Sequence, residues 1–308
     1  MDKRTTTRRG WPLLFSLLVS VTGGCGIPGE ELPVEKGAVM SGTPKGKAVI
    51  GSDAKPFTQT IPRSAVTIEM VPVPAGQTLV ADGDISRPLA SPSGFYMGST
   101  ELPWEAFDVF VLRLDERQPG TGDSSKNPDV VDAISRPSEP YVLADRGFGH
   151  DGYPVISVSF SAAQNFCAWM SAHTGLSWRL PTEEEFLYAG AAGATYDGID
   201  PEKLGQWAWF DGNGDGTTHP CGTLTSNSLG LFDLRGNVTE WCTDSEGLGI
   251  TMGGSYLESA EDTRLASIQR EDSSWNMSDP NIPKSPWWYA DASWVGFRLV
   301  CENPPSQE

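Results

Sequence analysis

The sequence predicts a loop-rich α+β fold made of short helices and small antiparallel sheets. Thirty-four glycines and 24 prolines among 308 residues argue against a helical bundle, because both residues are poor in helix interiors. Two short helices announce themselves by start signals at Ser161 and Thr182. The stretch Gly230 to Trp241, Gly-Leu-Phe-Asp-Leu-Arg-Gly-Asn-Val-Thr-Glu-Trp, spaces Gly, Asn, Asp and Glu among aromatics in the manner of a tight loop.

A hydrophobic fraction of 38% in a chain of this length fits one large domain or two small ones. The formal charge of −18 argues against a nucleic-acid partner, since phosphate calls for a basic face. Residues 1–25 read as an address rather than as structure. Lys3, Arg4, Arg8 and Arg9 form a basic start, and Trp11 to Val21 is an apolar run too short to span a bilayer. Thr22-Gly23-Gly24-Cys25 then resembles a bacterial lipoprotein signal, with cleavage before Cys25 and lipid attached to it, although Thr22 stands where such signals usually place Leu. An ordinary signal peptide with an incidental cysteine is the alternative. The expected location is the bacterial cell envelope, periplasm or outer membrane, on a lipid anchor.

Residues 26–64, rich in Gly, Pro, Lys, Glu and Thr, are expected to be a flexible tether. The folded domain is expected over 65–303, with 304–308 as a tail. Val66, Ile68, Met70, Val71 and Val73 suggest a first strand turned by Pro74-Ala75-Gly76, and Phe95 to Gly98 a second. Glu101 to Leu112 reads as a short amphipathic helix. From Asp115 to Asp151 the chain turns polar, which fits either an excursion overhanging a site or an inert insertion. Ser161 and Gln164 have the spacing of a capping box, with Ala163, Phe166, Cys167 and Met170 on one face and Gly175 as the stop. Thr182 and Glu185 repeat the device, with Gly190 as the expected stop. Asp211 to Gly216 opens like a calcium loop, but Gly222 stands where the bidentate Glu belongs, so it is read as a turn.

Asp233 and Glu240 flank the turn at Gly236-Asn237. A loop folded back there could aim two carboxylates and some carbonyls at one point, as calcium requires; carboxylates that merely satisfy backbone N–H groups are the alternative. Gly236-Asn-Val-Thr-Glu-Trp-Cys242, Gly253-Gly-Ser-Tyr256, Gly296-Phe-Arg298 and Trp178-Arg-Leu-Pro-Thr-Glu-Glu-Glu-Phe186 together resemble the formylglycine-generating enzyme, or sulfatase-modifying-factor, family, over roughly Val66 to Cys301.

That resemblance implies a C-type-lectin-like α+β fold and a structural calcium held by the side chains of Asp233 and Glu240 and the carbonyls of Gly236 and Val238. It also implies a copper-binding cysteine pair just after Gly-Gly-Ser-Tyr, but those positions are Glu258 and Thr263, and a carboxylate with a hydroxyl cannot replace two thiolates on Cu(I). Copper is therefore not expected. Nor is iron, since His150, His173 and His219 are widely separated. Four cysteines follow Cys25 and allow three pairings; the family's bond implies Cys167 with Cys301, leaving Cys221 with Cys242, and free buried thiols are the alternative.

Two functions follow. One is a binding module for a peptide, glycan or envelope protein. Its groove would be floored by Ser255 to Thr263, with Ser255, Glu258, Thr263, Arg264 and Trp288 as ligand contacts, and rimmed by Trp275, Trp287, Trp288, Tyr289 and Trp294, at least half of which should be core residues. The other is an oxidoreductase of the formylglycine-generating type, acting on a protein or small thiol.

Overall fold

The computed structural model describes residues 49–82, 85–116, 134–138, 140, 143–192 and 201–305. The signal segment, Cys25 and most of the expected tether lie outside them. A five-stranded antiparallel sheet runs in the order β1 (Phe57–Thr60), β2 (Thr67–Val73), β5 (Phe95–Gly98), β10 (Val300–Cys301), β6 (Trp178–Arg179). Between β2 and β5 in the chain, β3 (Gly76–Asp82) and β4 (Ile85–Ser91) form a separate hairpin. A three-stranded sheet sets β7 (Thr239–Thr243) between β8 (Gly249–Met252) and β9 (Val295–Gly296), with β7 and β9 parallel.

The domain starts earlier than residue 65. Phe57 to Thr60 pair with β2 in the register Phe57↔Met70 to Thr60↔Thr67, and Ile50 and Ile61 are buried. The strand escaped notice because its inward face is only Phe57 and Gln59, too small an apolar period to register.

Helix α1 spans Trp104–Val111 rather than starting at Glu101. Pro103 sits extended at the cap, φ −79° and ψ 157°, and a proline ring is accepted at the start of a helix but not inside it. Helix α2, Phe160–Thr174, ends as expected on Gly175 in the left-handed region, φ 72°. Its cap is Ser159, whose hydroxyl accepts from the Ala162 amide at 3.1 Å and donates to the Pro286 carbonyl at 2.6 Å, and not the exposed Ser161. Ser159→Ala is accordingly expected to cost about 1 kcal/mol or somewhat more in urea unfolding, and Ser161→Ala almost nothing. Helix α3, Glu183–Ala192, has the predicted capping box in full: the Thr182 amide donates to Glu185 at 3.0 Å and the Glu185 amide to Thr182 Oγ1 at 3.2 Å. Gly190 is not its stop. It lies inside the helix because Leu265 packs so close that a Cβ there would stand 2.6 Å from that side chain.

The main core is aromatic. Phe107 of α1, Phe166 of α2 and Phe297 meet with ring centroids 5.6–5.8 Å apart, and Phe110 and Trp169 extend the cluster. This packing fixes the segments on either side of Phe297, which carry the site.

Candidate functional site

The Gly230 to Trp241 stretch is the tight loop that its residues announce. Asp233, Gly236 and Asn237 all take positive φ, at 53°, 74° and 52°. At Gly236 a side chain is impossible as well as strained, because a Cβ would fall 2.1 Å from the Trp209 carbonyl oxygen. Asn237 locks the turn from inside: its side-chain amide donates to Glu101 Oε1 at 3.0 Å and to the His219 carbonyl, and its oxygen accepts from the His219 amide.

Around this loop three carboxylates are buried with one guanidinium. Both oxygens of Glu240 accept from Arg298, from Nε and Nη2 at 2.5 Å each. Asp233 Oδ2 accepts from the Gly222 amide at 2.6 Å, leaving Oδ1 buried without a partner, and Glu101 Oε2 is buried without a partner too. Burial pushes Glu101 well above the ordinary carboxylate range, and the neighbouring Asp233 and Glu240 push it further. Burial raises Asp233 as well, against the opposing pull of the Gly222 amide and Arg298. Arg298, pinned by Glu240, is held above its ordinary value in spite of burial.

The calcium expectation names the side chains of Asp233 and Glu240 and the carbonyls of Gly236 and Val238. Glu240 gives both oxygens to Arg298, whereas Asp233 Oδ1 has no partner. Among the described residues no group of three or more His, Cys, Asp or Glu side chains is disposed to hold a metal ion. Arg298 thus supplies the counter-charge of Glu240, while the orphaned Asp233 Oδ1 is the kind of oxygen that a hard cation takes. If calcium is held there, a chelator is expected to lower the melting temperature and added calcium to restore it; an unchanged melting temperature would sink the calcium site.

The two positions of the family's copper thiols are closed into their own loop. Glu258 accepts from the Ser255 amide at 2.7 Å, from the Ser255 hydroxyl and from Gln269 Nε2 at 2.7 Å. Thr263 donates to the Ser259 carbonyl at 2.8 Å, and its own carbonyl accepts from Arg235. Ser255 and Thr263 are completely buried. They brace the loop and do not floor an open groove, which corrects that expectation for Ser255, Glu258 and Thr263.

Among the described residues, a cleft lies elsewhere. A half-open cleft of about 560 Å³ is bounded by residues 276–290 on one side and by Ser138, Pro140, Ala144, Arg146 and Ser157 on the other. Of the expected ligand contacts only Trp288 lines it; Ser255, Glu258, Thr263 and Arg264 do not. Trp275, Trp288 and Tyr289 are buried, while Trp287 and Trp294 pack partly exposed against the core. Most of the expected rim is thus core.

Each of the four cysteines is a free thiol, so neither expected disulfide is formed. Cys167 and Cys301 belong to the same apolar cluster without bonding. Cys242 is sealed in β7, whereas Cys221 lies in a loop against Glu101 and Asp233, where burial and those acids push its thiol well up. The histidines stay apart. His150 bridges Asp108 at 2.8 Å and Asp145 at 3.1 Å, His173 lies 3.5 Å from Asp115, and His219 stacks on Trp209 with ring centroids 3.8 Å apart.

Sequence reasoning placed Glu101 in a helix and gave Arg298 no task. The signal for both was the surplus of acids in the Asp233 to Glu240 loop beside an arginine in Gly-Phe-Arg. Arg146 and Ser157 carry no motif.

A loop-rich α+β scaffold braced through a Gly-Asn turn and a Gly-Phe-Arg arginine defines the formylglycine-generating-enzyme class of fold. The chain belongs to the sulfatase-modifying-factor family: the family described as "Sulfatase-modifying factor enzyme 1-like domain" matches residues 56–303. It is similar to a formylglycine-generating enzyme of Mycobacterium tuberculosis, 36% identical over 115 residues, 33% of this chain and 35% of that protein. It is also similar to the "Inactive C-alpha-formylglycine-generating enzyme 2" of Bos taurus, 29% identical over 127 residues, 35% of this chain and 40% of the relative. The chain therefore spans well under half the length of these relatives. Among solved structures, Treponema denticola variable protein 1 superposes with a TM-score of 0.57 at 19% identity, covering 80% of this chain and 99% of that one, a likeness of fold.

Proposed function

We propose that this protein is a non-oxidising, lectin-like binding module of its family. It is carried to the cell envelope by the signal segment, held there by lipid on Cys25, and presents its cleft to a peptide, glycan or envelope partner. The observation that carries this reading is the state of the two copper positions. Glu258 and Thr263 supply no sulfur, and their polar atoms are tied into the loop's own hydrogen bonds. Soft sulfur ligands are what Cu(I) needs, and nothing chemically equivalent stands in for them. Similarity to a relative named as inactive supports the same reading.

The test is copper(I) binding together with aldehyde formation on a cysteine-containing sulfatase peptide. Neither is expected from the recombinant domain. Tight copper binding with turnover would replace the binding-module reading by an oxidoreductase acting on a protein or small thiol. The anchor is tested apart, by metabolic labelling with a fatty acid, which Cys25→Ser should abolish.

A further inference from the structure

Three residues that line the cleft described above, Arg146, Ser157 and Tyr289, each hold a buried polar atom without a partner. Ser157 is 1% exposed, lines the cleft, and its hydroxyl has no hydrogen-bond partner. Arg146 donates through Nη2 to the carbonyls of Tyr289 at 3.1 Å and Ala290 at 2.6 Å, which leaves Nε buried and unpartnered. Buried donors are nearly always paired, so several around one cleft point to an acceptor that arrives from outside. Both residues are also held at positive φ, 56° for Arg146 and 62° for Ser157, a costly backbone for a residue with a side chain.

The surroundings narrow the chemistry. The indole of Trp288 is fixed by its Nε1 bond to the Ser138 carbonyl at 2.8 Å, so it offers a rigid face. Pro280, Pro283 and the fully exposed Ile282 continue the apolar lining. The one carboxylate in the lining, Asp279, already accepts from the amides of Asn281 and Ser285 at 2.9 and 2.8 Å. The lining thus carries two cations, Arg146 and Lys284, against one carboxylate in a chain of net charge −18. A guanidinium N–H and a hydroxyl lining one cleft suit a carboxylate, and the volume suits a small molecule.

We propose that this cleft binds a small carboxylate whose carbon skeleton presents one flat apolar face, with the carboxylate on Arg146 Nε and Ser157 Oγ and the skeleton against Trp288. The proposal rests on the binding-module reading. An acidic sugar and an aromatic acid share this chemistry, and calorimetry with glucuronate against glucose and with phenylacetate against phenylacetamide separates them. At least one acid is expected to bind about 10-fold or more tightly than its neutral partner. Ser157→Gly removes the hydroxyl while suiting the left-handed backbone, and Arg146→Lys keeps the charge without Nε; each should reduce the preference for the acid. Equal binding of acid and neutral partner, or no binding of either pair to the unaltered protein, would overturn the proposal. Neither result bears on copper or aldehyde formation, so the two readings fail separately.

Discussion

Arg298→Met is expected to lower the unfolding free energy by about 3–5 kcal/mol, a drop in melting temperature on the order of 10 °C for a domain of this size. Besides its two bonds to Glu240, the guanidinium donates to the carbonyls of Gly98 at 3.2 Å and Phe232 at 2.9 Å. One side chain therefore ties the end of β5, the Asp233 loop and β7. Removing it strands a buried carboxylate among two other acids, and a charge without partner or water is the most expensive thing a core can hold. Replacing Glu240 by Gln in the same chain should recover part of the loss, because the stranded charge is gone. Urea unfolding of the two single variants and the double variant measures this. A loss no larger than that of an exposed pair, about 1 kcal/mol or less, would show the bridge to be incidental.

Asp115→Asn is expected to be nearly as damaging, by about 3 kcal/mol at neutral pH. Asp115 and Arg136 are almost fully buried and bonded in parallel at 2.7 and 2.9 Å, and Trp169 Nε1 donates to the same carboxylate at 3.3 Å. Burial alone would raise this carboxyl, but His173 at 3.5 Å and the bonded Arg136 outweigh it and hold it well below the usual range. A carboxyl depressed in the folded state contributes stability above its unfolded value, about 3.9, and loses that contribution as pH falls through the folded value. The gap between wild type and Asp115→Asn should therefore be full at pH 7 and narrow progressively below about pH 4. A gap that did not change with pH would mean that lost packing, not charge, is responsible.

Where one short segment decides the outcome, the fold was legible in the sequence. Thr182 and Glu185 form their capping box because every partner lies within three residues, and Gly175 ends its helix for the same reason. The errors fall where a distant residue decides. Gly190 looks like a helix stop until Leu265 packs against it, and Ser161 looks like a cap until Ser159 is found bonded to Pro286 as well. The candidate site was half legible for this reason. Asp233 and Glu240 are local to the loop and were found, but the counter-charge of Glu240 comes from Arg298, 58 residues beyond it. The tryptophans were ambiguous in principle, since one side chain serves equally to fill a core and to line a surface.

The place of β10 has a consequence for how the molecule is assembled. Val300–Cys301 lies between β5 and β6, pairing with both, while β1 and β2 reach it only through β5. The sheet therefore has a gap at its centre until residue 301 has been synthesised, with two exposed edges facing each other across it. A polypeptide in which Val300–Cys301 has not yet arrived stays in that unfinished condition, open to chaperones and proteases, and this short strand acts as the keystone.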